Sequence, residues 1–337
     1  MTLPSTVEVI TISKPGGVEV IEKTIQPFPL VNASDVVIKY LGVNFIDTYY
    51  RQGLYKMPSF PAGIGQEMSG IIIALPTDES ILNNETYKRK GLKVGSKVVV
   101  DIRGAHATYA AISWALVSPV PESVSTRIAA AGYLQGTTVC AFVEEAYKVK
   151  PGDTILVHTI AGGVGLQFAQ IGKHIGVTVI GTTSTPEKAK LAKENGAAHV
   201  ILYNQEDVVK RVLDLTNGEG VDAIFDGVGK DTFLKNFEMI KRKGTIVSYG
   251  NASGAVEPFS ILKLAEKNVK LLRPKIGNYA HTPEEILHYS QILFDLIEKE
   301  ILSVRVFKEY PFTGDGVKAA HIDLTGGKTS GKLIIKV

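Results

Sequence analysis

The sequence predicts an α/β protein whose second half holds a doubly wound parallel sheet, and three observations support this prediction. From about residue 150, short runs of β-branched residues alternate with helical stretches. A cluster of glycines lies between the first of these runs and the helix that follows it. Before about residue 130, strands separated by Gly, Pro and Asn indicate a mainly β region.

The composition is that of a globular protein, and the length predicts two domains. The chain has 337 residues, of which 45% are hydrophobic and 21% charged. Its net charge of +3 is too small to indicate a nucleic acid or a membrane surface as partner. The single cysteine, Cys140, excludes disulfides within the chain and a cysteine zinc cage. Without a signal-peptide pattern or a long apolar stretch, the sequence predicts a cytoplasmic protein with no membrane span.

Strands and turns dominate the first region. A polar segment at 76–91 lies between two of the strands and is expected to form a surface loop. The strand candidates of this region are four β-rich runs: VEVITI (7–12), VVIKYLGV (36–43), SGIIIAL (69–75) and SKVVVDI (96–102).

In the second region, strands and helices alternate with the spacing of βαβ units. Six such strands make a complete doubly wound, nucleotide-binding sheet. A further helix at 282–300 and a closing strand at 331–337 follow. The six strand candidates are 154–158, 177–181, 199–203, 221–226, 244–250 and 269–273, and the helices between them are 164–175, 186–196, 207–218 and 231–244.

The glycine cluster matches the dinucleotide fingerprint G-x-G-x-x-G except at its first position, where Ile160 stands. The second glycine lets the backbone approach a pyrophosphate, and the third lets the helix pack closely on the strand. The N-terminus of the helix offers N–H groups to the phosphates. An ordinary flexible turn is the alternative, which the six surrounding strands disfavour. The residues predicted to bind the cofactor here are Gly162, Gly163, Val164 and Gly165.

The residues after the second strand indicate which cofactor is bound. No carboxylate occurs before Glu187, although a ribose without a 2′-phosphate would favour one. Hydroxyls, a lysine and a helix beginning at Pro186 instead predict a 2′-phosphate pocket, and NADPH rather than NADH. A capped helix with a solvated lysine is the alternative. The predicted pocket residues are Thr182, Thr183, Ser184 and Lys188.

Five separated blocks of sequence resemble the quinone oxidoreductases (the zeta-crystallin family) of the medium-chain dehydrogenase/reductase superfamily. The resemblance implies a bilobed protein with the nicotinamide between its lobes. Residues 1–132 and 270–337 would form a GroES-like, mainly β catalytic domain, and residues 133–269 a Rossmann cofactor domain. The blocks are GVNFIDTYYRQGLY (42–55), GGVGLQFAQ (162–170), FDGVGKDTF (225–233), YGNASGAVEPF (249–259) and LRPKIGNY (272–279).

The resemblance also implies that no metal is bound. Asn44 stands where zinc-binding relatives carry a cysteine, and Gln66 stands where they carry a histidine. The catalytic residues that it implies are Asn44, Tyr49 and Tyr55. A neutral amide and phenols bind a quinone oxygen as negative charge develops on it. Core packing of the two tyrosines is the alternative.

Further cofactor contacts follow from the resemblance and from the ends of the parallel strands, where an open sheet binds ligands. Gln135 and Thr138 would lie near the nicotinamide ribose, and Tyr203 near the adenosine phosphate. An arginine that relatives direct at the 2′-phosphate falls at Gly327, and the adjacent Lys328 is expected to replace it. Thr138 as a helix cap and Asn251 as a turn residue are the alternatives for those two. The residues implied beyond the fourth and fifth strands are Gly227, Val228, Gly250 and Asn251.

Together these features predict an NADPH-dependent reductase that transfers hydride to a quinone without a metal. Two alternatives stay open: reduction of the C=C bond of α,β-unsaturated aldehydes or ketones, and a non-enzymatic role that binds nucleotide or RNA, as in crystallins. The near-neutral charge argues against RNA as the main partner. By resemblance, a homodimer is predicted through the apolar edge strand at 269–273.

Overall fold

The computed structural model describes residues 4–29, 35–37 and 41–337. The chain forms two compact units. The first comprises Met1–Thr137, Ala280–Glu298 and Val304–Val337, and the second comprises Thr138–Tyr279 and Lys299–Ser303. The domain boundaries implied by the resemblance, after residues 132 and 269, stay a prediction.

Seventeen strands and eleven α-helices occur within the described residues, together with four 3₁₀ turns and one π-helical turn. None of these helices is long and apolar enough to cross a membrane. The strands are β1 (Thr6–Ile12), β2 (Ile21–Pro27), β3 (Asp35–Val37), β4 (Leu41–Val43), β5 (Ala62–Gly63), β6 (Glu67–Ile71), β7 (Lys97–Asp101), β8 (Ala111–Ser113), β9 (Ser118–Pro119), β10 (Thr154–Val157), β11 (Thr178–Thr183), β12 (His199–Leu202), β13 (Val221–Asp226), β14 (Ile240–Ser248), β15 (Lys270–Leu272), β16 (Val306–Pro311) and β17 (Lys332–Lys336). The helices are α1 (Phe45–Gln52), α2 (Glu79–Leu82), α3 (Glu85–Lys90), α4 (Thr126–Ala141), α5 (Gly163–Ile175), α6 (Pro186–Glu194), α7 (Val208–Leu215), α8 (Asn236–Met239), α9 (Ile276–Tyr279), α10 (Pro283–Glu298) and α11 (Gly314–Thr325).

The second unit is built on one parallel sheet in the order β12-β11-β10-β13-β14-β15. This is the strand order of a doubly wound nucleotide-binding sheet, so the predicted fold class is confirmed. Its four inner strands, β11, β10, β13 and β14, are largely buried, which is why they read as continuous apolar runs in the sequence. Four neighbouring strands each contribute a fully buried residue to the core: Leu156, Ile180, Ile224 and Ile246.

The predicted helix at 231–244 is wrong beyond residue 239. The chain leaves α8 after Met239 and enters β14 at once, because buried Ile240 pairs with Val221 of β13. Lys241 Nζ lies 3.0 Å from Asp222 Oδ1 across the two strands. The basic run at 241–243 resembles a helix C-terminus, but these residues belong to β14, which pairs with β13.

The first unit is mainly β. Its largest sheet has the order β16-β17-β4-β6-β7-β9, and only its β16–β17 pair is parallel. Leu333 of β17 pairs with Val43 of β4, so the last strand of the chain lies beside a strand of its N-terminal part. A three-stranded sheet, β2-β1-β5, and the β3–β8 pair complete this unit within the described residues.

Two predictions in the first unit need correction. The segment at 76–91 contains α2 and α3 rather than a loop, because Asn84 Oδ1 caps α3 and buried Tyr87 packs edge-on against Trp114. The strand predicted at 69–75 ends at Ile71. Residues 38–40 of the strand predicted at 36–43 lie outside the described residues, and β3 and β4 flank them.

Candidate functional site

The glycine cluster forms the turn between β10 and α5, at the carboxyl end of the parallel sheet. Gly162 is the N-cap residue of α5, and no side chain caps this helix end. The first N–H groups of a helix have no intrahelical acceptor, so they face outward here. A Cβ at Gly165 would lie 2.5 Å from the carbonyl oxygens of Thr159 and Ile160. Glycine is therefore required for the helix to pack this closely on the turn.

Ile160, in place of the first fingerprint glycine, is accommodated by a glycine on the neighbouring strand. Its side chain is fully buried, and a Cβ at Gly181 would lie 2.5 Å from Ile160 Cβ. The Ile160 side chain thus packs against β11 at Gly181, away from the N-terminus of α5. Thr159 has a φ of 55°, an uncommon conformation for a β-branched residue and one that is typical of ligand sites.

The start of α5 fits a phosphate group of a dinucleotide. Residues 162–164 are half-buried, and the first turn carries no acidic side chain that would repel a phosphate. Unpaired N–H groups and the positive end of the helix dipole together attract an anion. The pyrophosphate of NADPH therefore has a suitable backbone site at this turn.

The predicted 2′-phosphate residues lie around the end of β11. Thr182 and Thr183 are 2% and 4% exposed, whereas Ser184 and Lys188 are half-buried. The cap of α6 is Thr185, whose hydroxyl accepts a hydrogen bond from the Lys188 N–H. Burial lowers the pKa of Lys188. Ser184 and Lys188 are thus the more accessible members of the predicted pocket, and its binding role stays a prediction.

A buried polar network, here called the aspartate network, joins the carboxyl ends of three parallel strands and was missed by sequence reasoning. The Asp226 carboxylate accepts hydrogen bonds from Val228 N–H, Gly229 N–H, Thr232 Oγ1 and Asn236 Nδ2 at 2.7–3.1 Å. His158 Nε2 lies 2.9 Å from Asn236 Oδ1, and His158 Nδ1 lies 3.1 Å from Thr182 Oγ1. Its members are His158, Thr182, Asp226, Thr232 and Asn236.

The aspartate network limits what Thr182 offers to a ligand. Because Asn236 Nδ2 donates to Asp226, its Oδ1 accepts, so His158 Nε2 carries a hydrogen. His158 Nδ1 in turn lies 3.1 Å from the Thr182 hydroxyl oxygen. The Thr182 hydroxyl therefore already has one hydrogen bond inside the network, whereas none of the network's bonds involves Ser184 or Lys188.

The other predicted cofactor residues of the second unit also follow its strands. The turn after β13 and the loop after β14 are bonded together, with Ala252 N–H donating to Gly227 O and Ser253 N–H to Val228 O. Gly250 and Asn251 lie in that loop, and Asn251 is buried. Tyr203 follows β12 and is 53% exposed, and Thr138 also belongs to this unit. Gln135 and the exposed Lys328 belong to the first unit.

In the first unit, the predicted catalytic tyrosines lie at and just beyond α1. The rings of Tyr49 and Tyr55 are edge-on with centroids 5.3 Å apart, and Tyr55 N–H donates to Tyr49 O at 3.2 Å. Tyr49 is buried and Tyr55 is half-buried. Tyr50 packs against Tyr55 from another side, with centroids 5.7 Å apart. The fold therefore brings the three rings into one aromatic group.

Asn44, the N-cap residue of α1, belongs to a buried group that we call the lysine cluster: Asn44, Asp47, Glu67 and Lys332. Lys332 Nζ donates to Asn44 Oδ1 at 2.5 Å and to Glu67 Oε2 at 2.6 Å. Asn44 Nδ2 donates to Glu67 Oε2 at 3.1 Å, and Asn44 N–H donates to Asp47 Oδ2 at 2.8 Å. Glu67 and Lys332 were not among the predicted site residues.

Burial shifts the titration of groups in and beside the lysine cluster. It raises the pKa of Asp47 to about 7, against the opposing effects of the Asn44 N–H bond and Lys332. It also lowers the pKa of His106 to about 4, although His106 Nε2 bonds to Gly42 O. Asp47 Oδ1 and His106 Nδ1 have no hydrogen-bond partner among the described residues.

The residues at this position do not fit a zinc ion. The Glu67 carboxylate is already bound to an ammonium and to Leu134 N–H, and Asn44 Oδ1 is bound to the same ammonium. Cys140 is buried in α4, where burial raises its pKa to about 12. Within the described ranges, no three His, Cys, Asp or Glu side chains form a group that could hold a metal.

Comparison with known proteins matches both units. A family model of the alcohol dehydrogenase GroES-like domain matches residues 32–122, and a model of zinc-binding dehydrogenases matches residues 163–291. Quinone oxidoreductase of Pseudomonas aeruginosa is 35% identical over 95% of this chain and 96% of that protein. A probable quinone oxidoreductase of Schizosaccharomyces pombe is 36% identical over 97% and 96%.

A solved structure extends the comparison to the fold. Escherichia coli quinone oxidoreductase complexed with NADPH has a TM-score of 0.90 and 34% identity, covering 98% of this chain and all of that one. A glycine turn on a doubly wound sheet, joined in one chain to a GroES-like unit, defines the class of medium-chain dehydrogenases/reductases. Within this class, the chain belongs to the quinone oxidoreductase family.

Proposed function

We propose that this protein is an enzyme that reduces quinones with NADPH and without a metal ion. One observation carries the proposal: an uncapped helix N-terminus suited to a dinucleotide phosphate occurs in a chain with nearly full-length quinone oxidoreductase relatives, one of them complexed with NADPH. Bound NADPH would supply the hydride that reduces the quinone. The protein's own residues bind and orient both molecules and stabilise the charge that develops.

The cofactor contacts are proposed by position. The backbone of residues 162–165 would hold the pyrophosphate, and Tyr203 would lie near the adenosine. In the second unit, the nicotinamide half would be held by Thr138 and by the loops after β13 and β14, through Gly227, Val228, Gly250 and Asn251; Gln135 is a further candidate by resemblance. The 2′-phosphate would be held by Ser184 and Lys188, with Thr182, Thr183 and Lys328 as the remaining candidates.

The substrate contacts are proposed in the first unit. The Asn44 amide and the hydroxyls of Tyr49 and Tyr55 would donate hydrogen bonds to the quinone oxygen as it gains negative charge. A reduced quinone oxygen takes its proton from water, so the site needs no strong general acid. This requirement fits a quinone better than a simple ketone.

The decisive experiment compares two classes of acceptor in one assay. NADPH oxidation is followed with 1,4-benzoquinone and with an α,β-unsaturated aldehyde, before and after treatment with EDTA. We expect a higher kcat/KM for the quinone and no loss of activity on chelation. A higher kcat/KM for the aldehyde would favour C=C reduction, and no oxidation with either acceptor would favour a non-enzymatic role.

We also infer a cytoplasmic homodimer, with domain boundaries after residues 132 and 269. β15 lies at the edge of the parallel sheet, and the turn before it exposes Ile261 and Leu262, which are 75% and 74% accessible. A second copy pairing at this edge would satisfy the free backbone groups and cover the apolar side chains. Light scattering at micromolar concentration should give twice the mass of one chain, and a monomeric mass would refute the inference.

A further inference from the structure

A buried lysine stands at the centre of the lysine cluster and has no part in the function proposed so far. Lys332 on β17 is 1% exposed, and its partner Glu67 on β6 is fully buried. Taking both charges out of water is costly, and apolar side chains of similar size often replace such pairs without loss of stability. Filling the interior alone therefore does not explain this ion pair. Both of its members form hydrogen bonds with the Asn44 side chain.

The ion pair fixes which way the Asn44 amide faces. Lysine carries hydrogen-bond donors only, so the Asn44 atom 2.5 Å from Lys332 Nζ is the carbonyl oxygen. The amide nitrogen then faces Glu67 Oε2 and donates one of its two hydrogens there. Its second hydrogen is given to no other described residue. The side chain is therefore held as a donor and cannot turn its oxygen to a ligand in that place.

Lys332 also sets the charge around this donor. An ammonium bound to the carbonyl oxygen polarises the amide, which strengthens its N–H as a hydrogen-bond donor. Glu67 alone would place an uncompensated negative charge beside Asn44, and the ammonium neutralises it. The backbone makes room for this pair, because a Cβ at Gly42 would lie 2.7 Å from Glu67 Oε2.

We propose that Lys332 is a positioning residue for quinone reduction: it holds Asn44 as a polarised donor and keeps the cluster from opposing the negative charge on the quinone. This inference rests on the role proposed for Asn44. Glu67 is the counter-charge, and its Oε1 also accepts a hydrogen bond from Leu134 N–H at 2.7 Å. The competing explanation is an ion pair that only stabilises the fold.

The test replaces the ion pair with a neutral pair of similar size. Lys332→Met combined with Glu67→Gln removes both charges and keeps an acceptor for Leu134 N–H. With saturating NADPH, we expect kcat for 1,4-benzoquinone to fall about tenfold or more, because the donor loses its orientation and polarisation. The KM for the quinone and the Kd for NADPH should change by less than about threefold, since neither charge binds the ground state.

A matched control uses another buried lysine of the same unit. Lys90 is 3% exposed, and its ammonium donates to the carbonyl oxygens of Trp114 and Ala115. Lys90→Met should lower Tm and leave kcat unchanged. In the double variant, a kcat within twofold of the unsubstituted protein would overturn the proposal. So would parallel changes in kcat, KM and the NADPH Kd, which would indicate a purely structural role.

A second variant and a second readout separate this inference from the proposed function. If the double variant does not fold, Lys332→Gln keeps a donor without the charge, and the same kinetic criteria apply. In the cofactor-free protein, carbon-13 NMR follows the Asp47 carboxyl, whose pKa Lys332 lowers and Glu67 and Asp101 raise. Lys332→Gln should raise that pKa, and an unchanged value would overturn the electrostatic role. Absence of quinone reduction by the unsubstituted protein would instead overturn the proposed function.

Discussion

The lysine cluster of the first unit and the aspartate network of the second are both buried and polar, yet their hydrogen bonds are balanced differently. The Asp226 carboxylate accepts four hydrogen bonds, and both ring nitrogens of His158 have partners. The lysine cluster includes Asp47 Oδ1, and beside it lies His106 Nδ1; neither atom has a partner in the part of the chain that the structure describes.

This difference indicates that the aspartate network serves mainly rigidity and that the lysine cluster serves reactivity. A buried network whose members are all bonded fixes the surrounding backbone, here the turn at 226–229. Burial shifts the pKa of Asp47 and of His106, and groups with shifted pKa values concentrate at functional sites. We therefore expect substitutions in the aspartate network to affect mainly folding, and substitutions around the lysine cluster to affect pH dependence and catalysis.

The largest effect is expected when the balanced network is broken. Asp226→Ala leaves four donors without this acceptor, two of them buried (Gly229 N–H and Asn236 Nδ2), and should lower the free energy of unfolding by about 3–5 kcal/mol. Urea denaturation measures this change. Asp231→Ala, five residues further on at an exposed position, should leave the free energy of unfolding nearly unchanged. A loss below about 1 kcal/mol in Asp226→Ala would show that the network is not what stabilises this turn.

The next effect concerns pH and the lysine cluster. Asp47 has a folded pKa of about 7 against an ordinary value of 3.8, so its contribution to stability is complete below pH 3.8 and is lost as pH rises through 7. Asp47→Asn keeps an oxygen acceptor for Asn44 N–H but cannot ionise. At pH 8 the variant should be more stable by up to about 4 kcal/mol.

Urea denaturation across the pH range checks this prediction and supplies its own control. At pH 4, where the Asp47 carboxyl is protonated in the folded protein, the two proteins should have similar stability. If the free energy of unfolding changed equally with pH in both proteins between pH 4 and pH 8, Asp47 would not be a buried carboxyl with a raised pKa.

A smaller effect is expected for the catalytic donors of the first unit. Tyr49→Phe, Tyr55→Phe and Asn44→Ala should each raise the activation free energy of quinone reduction by about 1–3 kcal/mol if each side chain donates to the developing oxyanion. This change lowers kcat/KM by about tenfold to a hundredfold or more and leaves the NADPH Kd unchanged. Tyr50→Phe is the matched control, because Tyr50 packs against the same Tyr55 ring. Unchanged kinetics in all three variants would show that these side chains do not stabilise the oxyanion and that the site only positions the quinone by apolar contacts.

The smallest effect concerns cofactor choice in the second unit. NADPH should bind at least about tenfold more tightly than NADH, a difference of about 1.4 kcal/mol. Lys188→Ala should remove most of this difference by weakening NADPH alone. Lys190→Ala, at an exposed position of the same helix, should preserve it. Fluorescence titration with both cofactors decides the matter, and equal affinities in the unsubstituted protein would exclude a 2′-phosphate pocket.

Sequence reasoning succeeded where the signal is local. The β-branched run before Gly162 and the amphipathic stretch after it predict a strand, a turn and a helix, and the structure contains all three. It failed at 231–244 and at 76–91, where buried Ile240 and Tyr87 acquire tertiary partners that outweigh the local pattern. The aspartate network left a weak signal, because His158 and Asp226 stand directly at the ends of two buried strands.

Local patterns in the chain are enough to predict the doubly wound sheet and the glycine turn, because residues a few positions apart decide backbone conformation and the burial of each strand. The packing of Ile160 over Gly181 and the contact of Lys332 with Asn44 depend on long-range contacts. Lys332 is 288 positions from Asn44 and 265 from Glu67. An ammonium becomes a buried partner of both only when β17 pairs beside β4 and the sheet excludes water, and no pattern local to the C-terminus encodes that environment.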